Sequence, residues 1–153
     1  MITDMNGVKP YEGDLPYIFV SYSHANVAAV AEVLEELSRQ GYRLWYDDGI
    51  KPGAEWQEYI AERLEQASMV LAFVSKAYMD SANCRKEMMF AAGKGIPTVN
   101  VFLEDTRLTP GMELQIGSAF ALMKFDMNEE RFYEKLLSAP QLDESLRTDG
   151  PIP

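Results

Sequence analysis

One cysteine and one histidine are all that this chain of 153 residues holds of either type. A disulfide framework needs paired thiols and a transition-metal centre needs several soft ligands, so neither is expected. Basic residues are also short: 14 Lys plus Arg against 24 Asp plus Glu leave a net charge of −10. Nucleic acids and anionic membranes recruit proteins through positive surface, so no nucleic-acid or membrane partner is expected. Long apolar runs are missing too. Residues 1–15 mix Asp4, Lys9, Glu12 and Asp14 with Gly7, Pro10 and Gly13, unlike a secretory leader, and read as a flexible leader. What is present is a hydrophobic share of 47%, ordinary for one globular domain that hides roughly 70% of its unfolded surface without metal or disulfide.

Short apolar runs alternate with amphipathic stretches, the pattern of a parallel sheet covered by helices on both faces. Tyr17 to Ser21 reads as a first strand, followed by Val27, Val30, Ala31, Leu34 and Leu37 at helical spacing, with Gly41 closing that helix. Arg43 to Asp47 reads as an edge strand. Trp56, Ile60, Leu64 and Ala67 make a second helical stripe. Met69 to Val74 is apolar throughout and suits the sheet centre. Cys84, Met88, Ala91 and Ala92 share one face of a helix ending at Lys94 and Gly95; Ile96 to Phe102 and Ala119 to Phe125 read as two more strands, and Phe132, Leu136 and Leu137 as a last helix. Five strands with right-handed crossovers imply an α/β, flavodoxin-like, doubly wound five-stranded parallel sheet spanning residues 16–139. Residues 140–153, with three prolines and no period, read as a tail or linker.

In such a sheet the crevice beyond the carboxyl ends of the strands is where loops and helix starts converge. The first turn, Ser21 to Asn26, lacks a glycine-rich phosphate cradle; Ser21, Ser23 and Asn26 read either as capping residues alone or as a helix start that offers its N–H groups to a phosphate, and the solitary His24 reads as solvated. After the second strand, Asp47 to Trp56 is longer than the usual ~2 to 6 residues between a strand and a helix, which favours a shaped binding loop. The adjacent Asp47 and Asp48 raise a phosphoreceiver reading. That scheme needs its acidic pair after the first strand and its acceptor after the third, where Ser21 and Ser75 stand instead. On the helix after the third strand, Cys84 reads as packing. Glu87, three residues on, falls ~60° short of a full turn and lies at the edge of the face that Cys84 turns to the sheet. No capping box accounts for it.

Three stretches in order, YIFVSYS at Tyr17 to Ser23, RLWYDDGIKPGAEW at Arg43 to Trp56 and SANCRKE at Ser81 to Glu87, resemble a Toll/interleukin-1 receptor (TIR) domain. The resemblance covers residues 17 to about 137; where plant-type relatives often carry tryptophan before the cysteine, Asn83 stands here. The family contains adaptors that only assemble and enzymes that consume NAD+, and Glu87 occupies the position of the enzymes' glutamate. The resemblance therefore implies a cytoplasmic, bacterial NAD+ glycohydrolase, with cyclase activity as a further option, acting in immunity or virulence, with NAD+ as substrate and no separate cofactor or metal. It also implies homo-oligomers or filaments through TIR–TIR contacts, with Asp48, Gly49, Ile50, Lys51, Pro52 and Gly53 as the self-association loop. The alternative is a non-catalytic scaffold using that loop alone.

The implied reaction expels neutral nicotinamide from a positively charged pyridinium. One carboxylate can therefore suffice, where an ordinary glycosidase needs two. Glu87 is then the catalytic carboxylate, with Ser21, Tyr22, Ser23, Trp45, Tyr46, Trp56, Cys84 and Arg85 as substrate-binding residues, the aromatic ones as the ring's wall. Arg43, Lys51, Lys76, Arg85 and Lys86 are the cations expected near the pyrophosphate.

Overall fold

The computed structural model describes residues 5–48, 54–117 and 119–148. Five strands, β1 (Ile18–Ser21), β2 (Leu44–Tyr46), β3 (Met69–Val74), β4 (Thr98–Phe102) and β5 (Phe120–Met123), form one sheet in the order β2-β1-β3-β4-β5. Every neighbouring pair is parallel. The expected doubly wound architecture is present, with β3 at the centre and β2 at an edge. All six residues of β3 are buried because both of its faces are covered.

Alternate residues of β3 sort the core into two layers. Met69, Leu71 and Phe73 pack with Val30, Leu34 and Leu37 of α1 (Val27–Arg39) and with Phe132 and Leu136 of α6 (Glu129–Leu137). On the opposite face, Val70 meets Leu64 of α2 (Ala54–Gln66) and Ala91 of α4 (Ala82–Lys94). Ala72 and Val74 meet Tyr78 of α3 (Lys76–Asp80), Cys84 and Met88 of α4, and Met112 and Ile116 of α5 (Pro110–Ile116). Helices α3 and α5 were not anticipated, although Thr109 followed by Pro110 is a recognisable helix start and the Thr109 hydroxyl does accept from the Met112 amide. Gly95 ends α4 in the left-handed conformation, as its position suggested.

The two ends do not behave as a loose leader and a loose tail over the residues described. Met5 is fully buried, Tyr11 N donates to Leu44 O at 2.7 Å, and Arg63 of α2 donates to Tyr11 O and Gly13 O. At the other end Leu142 and Leu146 enter the core beside α1 and α6. Residues 146–148 run antiparallel to residues 41–43, with Arg43 N donating to Leu146 O and Thr148 N to Gly41 O. Isolated apolar residues among prolines and charges carry no period, which is why their burial was not read.

Candidate active site

Chain topology delivers β1, β2 and β3 to one crevice. Ser21 ends β1 with its side chain almost wholly enclosed, at 1% exposure. Past β3, the Ser75 hydroxyl caps α3 by accepting from Tyr78 N at 3.0 Å and donates to Asn26 Oδ1 at 2.6 Å. Asn26 therefore ties two loops together and does not cap α1 with its side chain. The Ser81 hydroxyl caps α4 through the Cys84 amide at 3.2 Å, which aims the first turn of that helix across β1.

From the second turn of α4, Glu87 reaches back over the sheet edge. Its Oε1 accepts from Ser21 Oγ at 2.6 Å, and Ser21 Oγ lies 2.8 Å from Tyr78 Oη. Glu87 sits where two hollows meet. The first, about 250 Å³, lies between α2 and α4 and is lined by Ile60, Ala61, Leu64 and Phe90 with Gln57 and Lys86. The second, about 270 Å³, runs under the turn after β1 and is lined by Tyr22, Ser23, His24, Ser81 and Cys84. Asp47, Asn83 and Glu87 border both.

Burial pushes the Glu87 carboxyl up from 4.5 to about 7, the Ser21 hydrogen bond pulls it partly back, and the Asp47 charge adds to the rise. At neutral pH the group is therefore poised between its two states. The Cys84 thiol is raised to about 11, chiefly by burial, so it is inert packing at the floor of the second hollow. Burial likewise raises Tyr22, with Asp47 adding to it. The Tyr22 hydroxyl donates to Asp47 O at 2.9 Å and His24 Nε2 donates to the same oxygen at 3.1 Å, while Trp56 Nε1 donates to Asp47 Oδ1 at 3.1 Å.

Of the residues expected to bind substrate, Tyr22, Ser23 and Cys84 line the second hollow beside Glu87. Five are placed differently. Ser21 lies too deep for direct contact and spends its hydroxyl on Glu87. Trp45 is fully buried against Phe19, with ring centroids 5.2 Å apart, because an edge strand under α2 turns that face into the core. Tyr46 is buried on the other face of the edge strand and donates to Val8 O. Arg85 turns back to Met79 O. Trp56 packs against Trp45 and Tyr59 and donates to Asp47 Oδ1 at the rim of the site. Among the expected cations, Arg43 precedes β2, at the opposite end of the sheet, and holds Pro16 O and Ser145 O; Lys86 lines the first hollow. Asp48 is described, whereas the loop residues Gly49, Ile50, Lys51, Pro52 and Gly53 lie outside the described residues.

Sequence reasoning placed the segments that hold His24, Asp47, Tyr78 and Asn83 at the crevice without assigning these residues a substrate-binding role, and it missed Phe90. Phe90 is one turn beyond Glu87 on the same helix, a spacing that could have revealed it. No group of three or more potential metal ligands occurs among the described residues.

A parallel five-stranded α/β sheet carries this half-buried carboxylate over twin hollows at its carboxyl edge, where doubly wound folds have their crevice. The chain belongs to the TIR domain family, whose model matches residues 18–137. The TIR domain of the Toll-related receptor TRR-2 from Hydra magnipapillata is similar in structure, with a TM-score of 0.62, 13% identity, and 78% of this chain and 94% of that chain covered. A 2-deoxyribosyltransferase from Bacillus psychrosaccharolyticus is also similar, with a TM-score of 0.55, 10% identity, and 76% and 95% covered. At these identities the likenesses establish the fold. No curated protein sequence matches the chain. Among the described residues no helix is long and apolar enough to cross a membrane.

Proposed function

We propose that this TIR domain is a NAD+ glycohydrolase of the bacterial, NAD-consuming type, with Glu87 as the catalytic carboxylate. The observation that supports this best is the place of Glu87 on the wall shared by an apolar and a polar hollow, with a proton affinity matched to neutral pH.

In NAD+ a positively charged pyridinium is bonded to C1′ of a ribose. When that bond breaks, both electrons go to nitrogen, so nicotinamide leaves neutral and takes no proton from the protein. The ribose is left with oxocarbenium character, which the ionised Glu87 stabilises by position and charge in a site partly shielded from water. Water adds to C1′ and releases a proton, giving ADP-ribose; capture by an adenine nitrogen in place of water gives the cyclic product. The hollow floored by Ile60, Leu64 and Phe90 suits the flat ring, and the polar hollow by Ser23 and His24 suits the sugar. Lys86 is the lining lysine available to a phosphate.

Loop 48–53 joins copies of the domain into homo-oligomers or filaments and thereby raises activity, and the protein works in the cytoplasm as an immune or virulence effector with no cofactor besides its substrate. Incubating purified protein with NAD+ over a range of protein concentrations and measuring nicotinamide by chromatography tests this reading. Specific activity is expected to rise with concentration and to vanish in Glu87→Ala. Absence of release at every concentration overturns it and leaves a scaffold whose output depends on Pro52 and Gly53.

A further inference from the structure

Tyr78 is fully buried one turn into α3, yet carries a polar hydroxyl. The partner that the described residues give that hydroxyl is Ser21 Oγ, at 2.8 Å. Ser21 has one proton and directs it to Glu87 Oε1 at 2.6 Å. The phenol must then be the donor to Ser21, and the chain runs in one direction: Tyr78 O–H to Ser21 O–H to Glu87 Oε1. Reversing it would leave the buried phenol proton without an acceptor, which is costly. Oε1 is thus held as an acceptor in both protonation states. When Glu87 is neutral its proton sits on Oε2, which no described residue engages.

We propose that Tyr78, acting through Ser21, is a positioning residue that commits Oε1 of Glu87 to the protein and leaves Oε2 as the oxygen that meets the ribose. The second half of this statement rests on the proposed function; the relay itself does not. The charged carboxylate accepts the Ser21 hydrogen bond more strongly than the neutral acid, so the relay also favours the ionised form. Other titratable or charged groups around Glu87 are Tyr22 and His24 after β1, Asp47 after β2, and Cys84 and Lys86 on α4, while α2 lines the hollow with neutral Gln57 and apolar residues. Of these, Asp47 opposes the relay.

The test uses the full chain as wild type, Tyr78→Phe and Ser21→Ala. The Glu87 carboxyl is followed by carbon NMR through a pH titration, assigned by its absence in Glu87→Gln, and nicotinamide release is measured across the same range. Ser21→Ala is expected to raise the Glu87 pKa by about one unit and Tyr78→Phe by about half of that. In both variants the acid limb of kcat/KM moves up with it, so release falls at pH 6.5 and recovers near pH 9, with kcat changing more than KM. A purely structural role would depress release at every pH. An unmoved Glu87 titration in both variants overturns the relay, whatever the activity. Shifted titrations in a protein that releases no nicotinamide support the relay and remove the assignment of Oε2 to a sugar together with the enzymatic reading.

Discussion

Glu87→Gln should make the folded chain more stable, and by an amount that depends on pH. Burial lifts the folded-state pKa from 4.5 to about 7, so between these values the folded chain keeps a proton that the unfolded chain has released. Stability therefore falls as pH rises through this window and stays reduced above it. The full rise corresponds to about 3 kcal/mol at pH 8 and to less than about 1 kcal/mol at pH 5. Glutamine keeps the length of the side chain and an oxygen for the Ser21 hydroxyl but carries no charge. Urea unfolding followed by circular dichroism is expected to show a midpoint higher by about 1 to 2 M for Glu87→Gln at pH 8, with the gap shrinking to a few tenths at pH 5. Equal stability at pH 8, or a gap that widens as pH falls, would refute the claim that desolvation holds this carboxyl high.

Other outcomes follow from the same contacts. Leu146→Ala removes a fully enclosed side chain from the closing segment and should cost about 2 to 4 kcal/mol in thermal or urea unfolding, far above the effect at a loose tail. Gly41→Ala places a methyl about 3.1 Å from Thr148 O at a φ of +96°, so it should cost about 1 to 3 kcal/mol and expose residues 146–148 to early proteolysis. Cys84, raised to about 11 and buried, should resist thiol reagents at pH 8 in the native chain and react once urea unfolds it.

The sheet was legible because each strand's environment is written into its residues. An unbroken run such as Met69 to Val74 fits only a strand covered on both faces, and the mixed Arg43 to Asp47 fits an edge. Cys84 and Glu87 were legible as a pair for the same reason, since helical spacing separates an inward thiol from a carboxylate at the rim. Other residues carried no such signal. Trp45 and Trp56 are equally aromatic in sequence, and only the packing of α2 on β2 seals the first away. Met5, Leu142 and Leu146 are single apolar residues in stretches without period, so their burial depends on partners distant along the chain. Tyr78 was hidden by the shortness of α3, five residues with too little pattern to show which side faces inward.

Side-by-side nicotinamide release from NAD+ by wild type and Glu87→Gln at pH 8, with both proteins shown to be folded, tests the central claim most directly. The account predicts release by the wild type and a rate at least about 100-fold lower in the variant, because the charge opposite the developing cation is gone while the shape remains. Release by Glu87→Gln within a few-fold of wild type would contradict it.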